Sequence, residues 1–238
     1  SNALTDINTV TSNPGKQGKA GQFTAANSEY LNISDNVALS MGAGVRFTLA
    51  AWFYLDSQAD STIIGKDNGI TGGYKLWYDH GSNGKLAFDV YASGHTLTQV
   101  LSSDTTLSAN AGRPAAGQWY FIVTWYNGTH INMQVNNGST IDSTAFSSDV
   151  QDDPGEFDIG RSEGAGKYMG GRIDEVGFWK KVLTSQERAD LYNAGGGQTR
   201  SGGGSSHGTP TGTTVADGFF GKARSFNGTS DYVNAIDS

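Results

Sequence analysis

The 238-residue sequence predicts an all-β fold: a two-sheet antiparallel β-sandwich with one short C-terminal helix. Three observations carry this. The chain has 34 glycines against 4 prolines, a balance that suits many tight turns and few helices. From Phe23 to Ile173, short β-type runs alternate with clusters of Gly, Asn, Asp and Ser at the spacing of a sandwich rather than of βαβ units. Only one stretch carries both a helix-start and a helix-stop signal.

Strands are expected at 20–25, 29–34, 46–55, 61–66, 73–79, 84–92, 96–102, 118–126, 130–136, 140–145, 156–161 and 171–179. In 47–55, Phe47, Leu49, Ala51, Phe53 and Leu55 share one face, and Thr48, Ala50, Trp52 and Tyr54 share the other. The run Trp119–Tyr126 is apolar on both faces, which predicts a central strand whose second face is at least partly covered. Asn127-Gly128 and Asn136-Asn137-Gly138 supply turns. A helix is expected over 184–193, opened by a Thr184/Glu187 capping box and ended by Gly195 in a left-handed cap. Residues 4–197 thus read as one module, followed by a Gly/Ser-rich linker over 198–216.

Beyond the linker the chain repeats itself. Gly221-Lys-Ala-Arg-Ser-Phe226, continuing through Tyr232 and Asn234 to Asp237, follows Gly18-Lys-Ala-Gly-Gln-Phe23 through Tyr30 and Asn32 to Asp35, with one residue fewer between Phe and Tyr. An offset of 202–203 residues predicts a module of about 200 residues occurring in tandem, with 217–238 as the truncated start of a second, similar copy.

Composition excludes several classes of function. The formal net charge is −7 with no basic run, which argues against nucleic acid or an anionic membrane surface as partner. The absence of cysteine removes disulfides, thiolate metal sites and thiol nucleophiles. There is no apolar run of eighteen residues, so no membrane insertion by a helix is expected. Ser1-Asn2-Ala3 reads as the remnant of an expression tag, which makes the missing signal peptide uninformative about compartment.

Several segments resemble the laminin-G-like jelly-roll family of the concanavalin A-like lectin/glucanase superfamily, in its bacterial or phage tandem-repeat form. Phe226–Val233 and its weaker twin Phe23–Leu31 resemble the family's entry strands, and Phe47–Phe53 resembles its "FTIxAWV" strand. Trp119–Tyr126 with Asn136-Asn137-Gly138 resembles its "WxxVAxTYDG…VDG" hairpin, and Gly171–Glu187 resembles its closing "GxIDEVRIWNRALSxxE". The resemblance implies two stacked, curved antiparallel sheets. It also implies a structural calcium on an Asp at the start of the last strand together with carbonyl oxygens of the N-terminal strand loop, which map onto Asp174 and onto Asn27 and Ser28. The alternative is that Asp174 only accepts hydrogen bonds from backbone amides of an entry loop.

No catalytic residues are expected. Glucanases of this architecture carry Glu-x-Asp-x-x-Glu on one strand to set two carboxyl groups about 5 Å apart, and no such run occurs here. Asp174 and Glu175 are adjacent and so should face opposite ways, Glu163, Glu187 and Asp190 fall in loop and helix, and the four histidines are isolated. A polysaccharide hydrolase or lyase is therefore disfavoured.

A carbohydrate site would place exposed aromatic rings beside amide and carboxylate groups. Alternation in 74–79 puts Lys75, Trp77 and Asp79 on one face, opposite Ala87, Asp89 and Tyr91, which suggests a ligand-binding patch of Trp77, Asp79, Asp89 and Tyr91. Trp77 packed under the 103–117 loop is the alternative. Four Asn-x-Ser/Thr triplets, at Asn32, Asn127, Asn137 and Asn227, fit glycosylation sequons, although such triplets are common in turns of this composition.

Two functional classes follow. One is a secreted or cell-surface binding and adhesion module for extracellular glycan. The other is a structural spacer or assembly unit of a large cell-surface or phage-like repeat protein with no small ligand. The apolar residues of 219–238 need a second layer, so head-to-tail or strand-swapped self-association through 217–238 is also expected.

Overall fold

The computed structural model describes residues 4–104, 107 and 112–197, together with the backbone of short strands within 209–234. Sixteen strands build the module: β1 (Thr5–Ile7), β2 (Thr11–Pro14), β3 (Lys19–Phe23), β4 (Tyr30–Ile33), β5 (Phe47–Leu55), β6 (Ser61–Lys66), β7 (Tyr74–Asp79) and β8 (Lys85–Ala92), then β9 (Thr96–Leu101), β10 (Trp119–Tyr126), β11 (His130–Val135), β12 (Asp142–Ala145), β13 (Phe157–Ile159), β14 (Arg161–Ser162), β15 (Lys167–Tyr168) and β16 (Gly171–Trp179). One helix, α1 (Ser185–Tyr192), follows. All twelve expected strands are present, with ends that agree to within two residues. The four extra ones are two to four residues long, too short for a periodicity to register.

The first sheet has the order β1-β4-β13-β6-β7-β8-β9 and the second β12-β11-β10-β5-β16-β3-β2, seven strands each. Every pairing in them is antiparallel. The core lies between the sheets and takes the predicted faces: Phe47, Leu49 and Phe53 of β5 meet Tyr74, Leu76 and Phe88 of the first sheet in one cluster. Ring centroids of Phe47 and Tyr74 lie 5.0 Å apart, and those of Phe47 and Phe88 6.1 Å.

A second apolar layer covers the other face of β5 and β10. Trp52, Phe121, Val123 and Trp125 pack against Leu191 and Tyr192 of α1, with Trp52 and Tyr192 stacked at 5.7 Å. This is why 119–126 is apolar on both faces. Arg188 of α1 is drawn into the layer, its guanidinium 4.3 Å from the Trp125 ring centre and donating to Gln134 and to the Leu183 carbonyl.

The helix opens as expected, with the Thr184/Glu187 capping box formed in both directions. Its end differs. Asn193, not Gly195, takes the first left-handed position (φ 47), and Ala194 follows it (φ 51). The Asn193 side chain donates to the Gly197 carbonyl at 2.7 Å, a bond that glycine could not supply and that offsets the cost of the conformation.

The two ends of the module meet at β16. A β-bulge between Asp174 and Gly177 breaks the alternation, and Glu175 takes the left-handed φ of 48. The alternation behind the reading of Asp174 and Glu175 is thus interrupted directly after Asp174. Asp174, 5 % exposed, accepts hydrogen bonds from the backbone N–H of Gln17 at 2.8 Å and of Glu175 at 2.9 Å, and its carboxylate also takes the Lys16 amide. It thereby fastens the turn between β2 and β3 to the last strand.

Two predictions follow from this packing. Phe47→Ala should lower stability by about 3–5 kcal/mol, because it opens a cavity where both sheets meet; urea unfolding reads the change, and a loss below about 1 kcal/mol would place Phe47 outside the core. Asp174→Ala removes the acceptor of the part-buried amides of the β2–β3 turn and should cost about 1–2 kcal/mol. Limited proteolysis should then cut within 14–18 before any other part of the module.

Candidate functional site

The exposed side of the first sheet is built from rows of facing residues. The pairings of β6 to β9 place Gly65, Lys75, Asp89 and Gln99 abreast, and beside them Thr62, Trp77, Ala87 and Leu101. Alternation turns the intervening residues Leu76 and Phe88 into the core. The face is only partly open. A side chain on Gly65 would run into the Arg161 carbonyl, so the β14–β15 hairpin lies across β6. A side chain on Gly72 would meet the Tyr91 ring, so the 67–73 loop lies across the far end of β8. Trp77, Gln99 and Leu101 stay half-buried and Leu97 is 49 % exposed.

Asp89 organises this face. It is 2 % exposed and accepts hydrogen bonds from the Trp77 indole N–H at 3.0 Å and from the Gln99 amide at 2.7 Å, with the Lys75 ammonium 3.3 Å away. Burial raises its carboxyl above the ordinary carboxylate range, against the opposing pull of Lys75, Gln99 and Trp77. The Lys75 ammonium also sits 4.6 Å from the Trp77 ring centre. The indole is thus held by its N–H at one edge and by a cation over its face.

The other two expected ligand residues are engaged elsewhere. Asp79, 5 % exposed, caps the turn into β8 by accepting from the Ser82 amide at 3.2 Å and the Asn83 side chain at 2.9 Å. Tyr91, 7 % exposed, stacks on His95 at 4.5 Å and is hydrogen-bonded to Asp67. Of the four expected residues Trp77 and Asp89 are in contact with each other, with Lys75 and Gln99 beside them, while Asp79 and Tyr91 are held by other partners. Lys75 was legible as a same-face neighbour of Trp77 from alternation alone, whereas Gln99 depends on the β8–β9 register. Of the 103–117 loop weighed as a cover for Trp77, residues 105, 106 and 108–111 lie outside the described residues.

The residues expected to hold calcium are not brought together. Asp174 faces the turn before β3, while Asn27 and Ser28 follow the end of that strand, roughly 13 Å along at the usual rise per residue. Asn27 donates to Glu29 at 2.8 Å, and the Ser28 carbonyl accepts from Asn8 at 3.0 Å. Around Asp174 the neighbouring groups are N–H donors, whereas calcium requires converging oxygens. The donor set does not fit a cation. Among the described residues no group of three or more His, Asp or Glu side chains could hold a metal ion.

A cleft of about 400 Å³ opens between the sheets beside Asp174, lined by Phe23, Leu31, Ile173 and Phe178. These are core side chains or their neighbours, so this cleft is a seam of the sandwich.

Several solved structures share this fold. The binding domain of Paraclostridial Mosquitocidal Protein 1 superposes with a TM-score of 0.64 at 15% identity, over 81% of this chain and 47% of that one. The botulinum neurotoxin serotype D ligand binding domain, solved with N-acetylneuraminic acid, gives 0.60 at 13% identity over 80% and 45%. Domain 4 of AbnA, a GH43 extracellular arabinanase from Geobacillus stearothermophilus solved with arabinotriose, gives 0.58 at 14% identity over 82% and 87%. The chain spans about half the length of the toxin domains it matches. No curated protein sequence matches it. At these identities the likeness is one of fold. The sequence itself matches the laminin-G-type family model of the concanavalin A-like lectins and glucanases over residues 25–187, and the chain belongs to that superfamily.

Proposed function

We propose that this chain is a non-catalytic, extracellular binding module that recognises carbohydrate on the open part of its first sheet, at Trp77 and Gln99. The observation that carries the reading is the half-buried indole of Trp77, fixed by its hydrogen bond to Asp89 beside the Gln99 amide. A sugar ring needs an apolar plate that does not have to be ordered on binding, together with amide groups at its rim. The pinned indole and Gln99 supply both. Asp89 and Lys75 act as positioning residues, since their charges are spent on each other and on Trp77. Support from relatives is the sugar-bound state of two structures of the same fold, one with arabinotriose and one with N-acetylneuraminic acid.

Calcium has no part in this reading, because the carboxylate of Asp174 is taken up by amides. A second reading, in which the module is a spacer or assembly unit, draws on the internal repeat.

Two measurements test these statements. On a glycan array followed by titration calorimetry, Trp77→Ala should weaken binding by about tenfold or more, the equivalent of about 1.4 kcal/mol. Gln99→Ala should weaken it less, and Trp77→Phe should retain part of it. Loss of binding without loss of the unfolding transition supports the site, while full affinity in a folded Trp77→Ala variant refutes it. Melting the protein before and after exhaustive chelation should give the same midpoint; a fall reversed by added calcium would show a bound cation, since a ligand of the native state stabilises it by mass action.

A further inference from the structure

The chain past residue 208 repeats the opening of the module in its strand pairing as well as in its residues. Four short strands occur there: β17 (Thr209–Thr211), β18 (Thr214–Asp217), β19 (Lys222–Ser225) and β20 (Tyr232–Asn234). The inner two pair with each other. Their register sets Thr214 opposite Ser225 and Asp217 opposite Lys222, as β2 and β3 set Thr11 opposite Gln22 and Pro14 opposite Lys19. The Gly-Lys-Ala repeat equates Lys222 with Lys19, so every pair in one ladder has its counterpart in the other. The outer two strands also pair. Thr209 faces Asn234 and Thr211 faces Tyr232, as Thr5 faces Asn32 and Ile7 faces Tyr30 in β1 and β4. Tyr232 and Asn234 are the repeat equivalents of Tyr30 and Asn32. Seven residue pairs in two nested ladders agree, four in the inner and three in the outer.

This nesting has a purpose in the module. The inner pair, β2–β3, extends the second sheet at β16, and the outer pair, β1–β4, extends the first sheet at β13. One continuous segment therefore grips both sheets and contributes Phe23 and Leu31, each 1 % exposed, to the core between them. The second segment carries Phe226 and Val233 at those two places. Two strand pairs alone cannot bury such residues, and each pair needs the rest of a sandwich beneath it.

We propose that residues 209–234 are the entry segment of a second module of this same fold, and that the partner they dock onto is a sandwich presenting the equivalents of the β13 and β16 edges. In the first module those edges are already taken by its own segment, β3 on β16 and β4 on β13. The first segment has Gly21 opposite Ile173 and the second has Arg224 at the equivalent place, so Arg224→Gly restores the match to a body copied from the first module. The repeat thus specifies a tandem array in which each copy is closed by its own entry segment, and it multiplies whatever face the module presents.

The test supplies the segment with the rest of a sandwich. A copy of residues 37–197 is appended after Ser238, and calorimetry and limited proteolysis follow its folding. The unfolding heat per chain should be about twice that of the 238-residue protein, and a control with 209–238 scrambled should show no gain. No added heat in both the fusion and its Arg224→Gly variant would overturn the proposal, as would an equal gain in the scrambled control. Exchange into an existing module is read in the cysteine-free background. Arg172 pairs with Gln22, whose repeat equivalent is Ser225. A disulfide joining one chain carrying Arg172→Cys to another carrying Ser225→Cys would show the segment displacing its counterpart and would overturn the proposal; no cross-linked dimer is expected.

Discussion

Strand β5 has no solvent face, and the rest of the module is arranged around that constraint. Its odd-numbered residues must meet the first sheet and its even-numbered ones must meet something else, because Trp52 and Ala50 are as buried as Phe47. That second requirement recruits β10 and β16 as flanking strands and α1 as a lid. It also places Asp174 beside Trp52 in the register, from where its carboxylate reaches the β2–β3 turn. A doubly buried strand turns a two-layer sandwich into one with a third layer on one side.

The first sheet solves the opposite problem. Its outer face carries charge as well as aromatic rings, and the hairpin and loop that roof it remove those charges from water. Buried charge must then be paired, which is why Asp89 gathers an indole N–H, an amide and an ammonium around itself. A similar economy holds nearby, where Arg161 reaches Asp158 at 2.7 Å and Glu156 at 2.8 Å while lying over Tyr30 at 3.8 Å. The roof stops short of Trp77, whose ring is held by the network beneath it.

The proposed binding face and the repeated segment lie in different parts of the molecule. Trp77 and Gln99 lie on β7 and β9, toward the far edge of the first sheet from β1–β4. An entry segment closing its own sandwich would leave that edge uncovered, so the proposed array would keep the proposed recognition surface open. The two readings of the protein, as a binder and as a repeating unit, are therefore compatible in one architecture.

Alternation along single strands determined much by itself. It assigned the two faces of 47–55, the double burial of 119–126 and the shared face of Lys75 and Trp77, because a period of two follows from strand geometry without reference to a partner. The capping box at Thr184 and the repeat at Gly221 were likewise local facts. What needed the tertiary structure was register and local irregularity. Only the β8–β9 pairing brings Gln99 to Asp89, only the bulge at Asp174–Gly177 breaks the alternation of β16, and only the turn at 15–18 occupies the carboxylate reserved for calcium. That Asp79 caps a turn and Tyr91 stacks on His95 was not legible, because alternation says which way a side chain points and not what already holds it. The sequence alone determined the sandwich and its repeat; the tertiary structure decided which polar groups were free, since hydrogen-bond partners far apart in the chain meet only after folding.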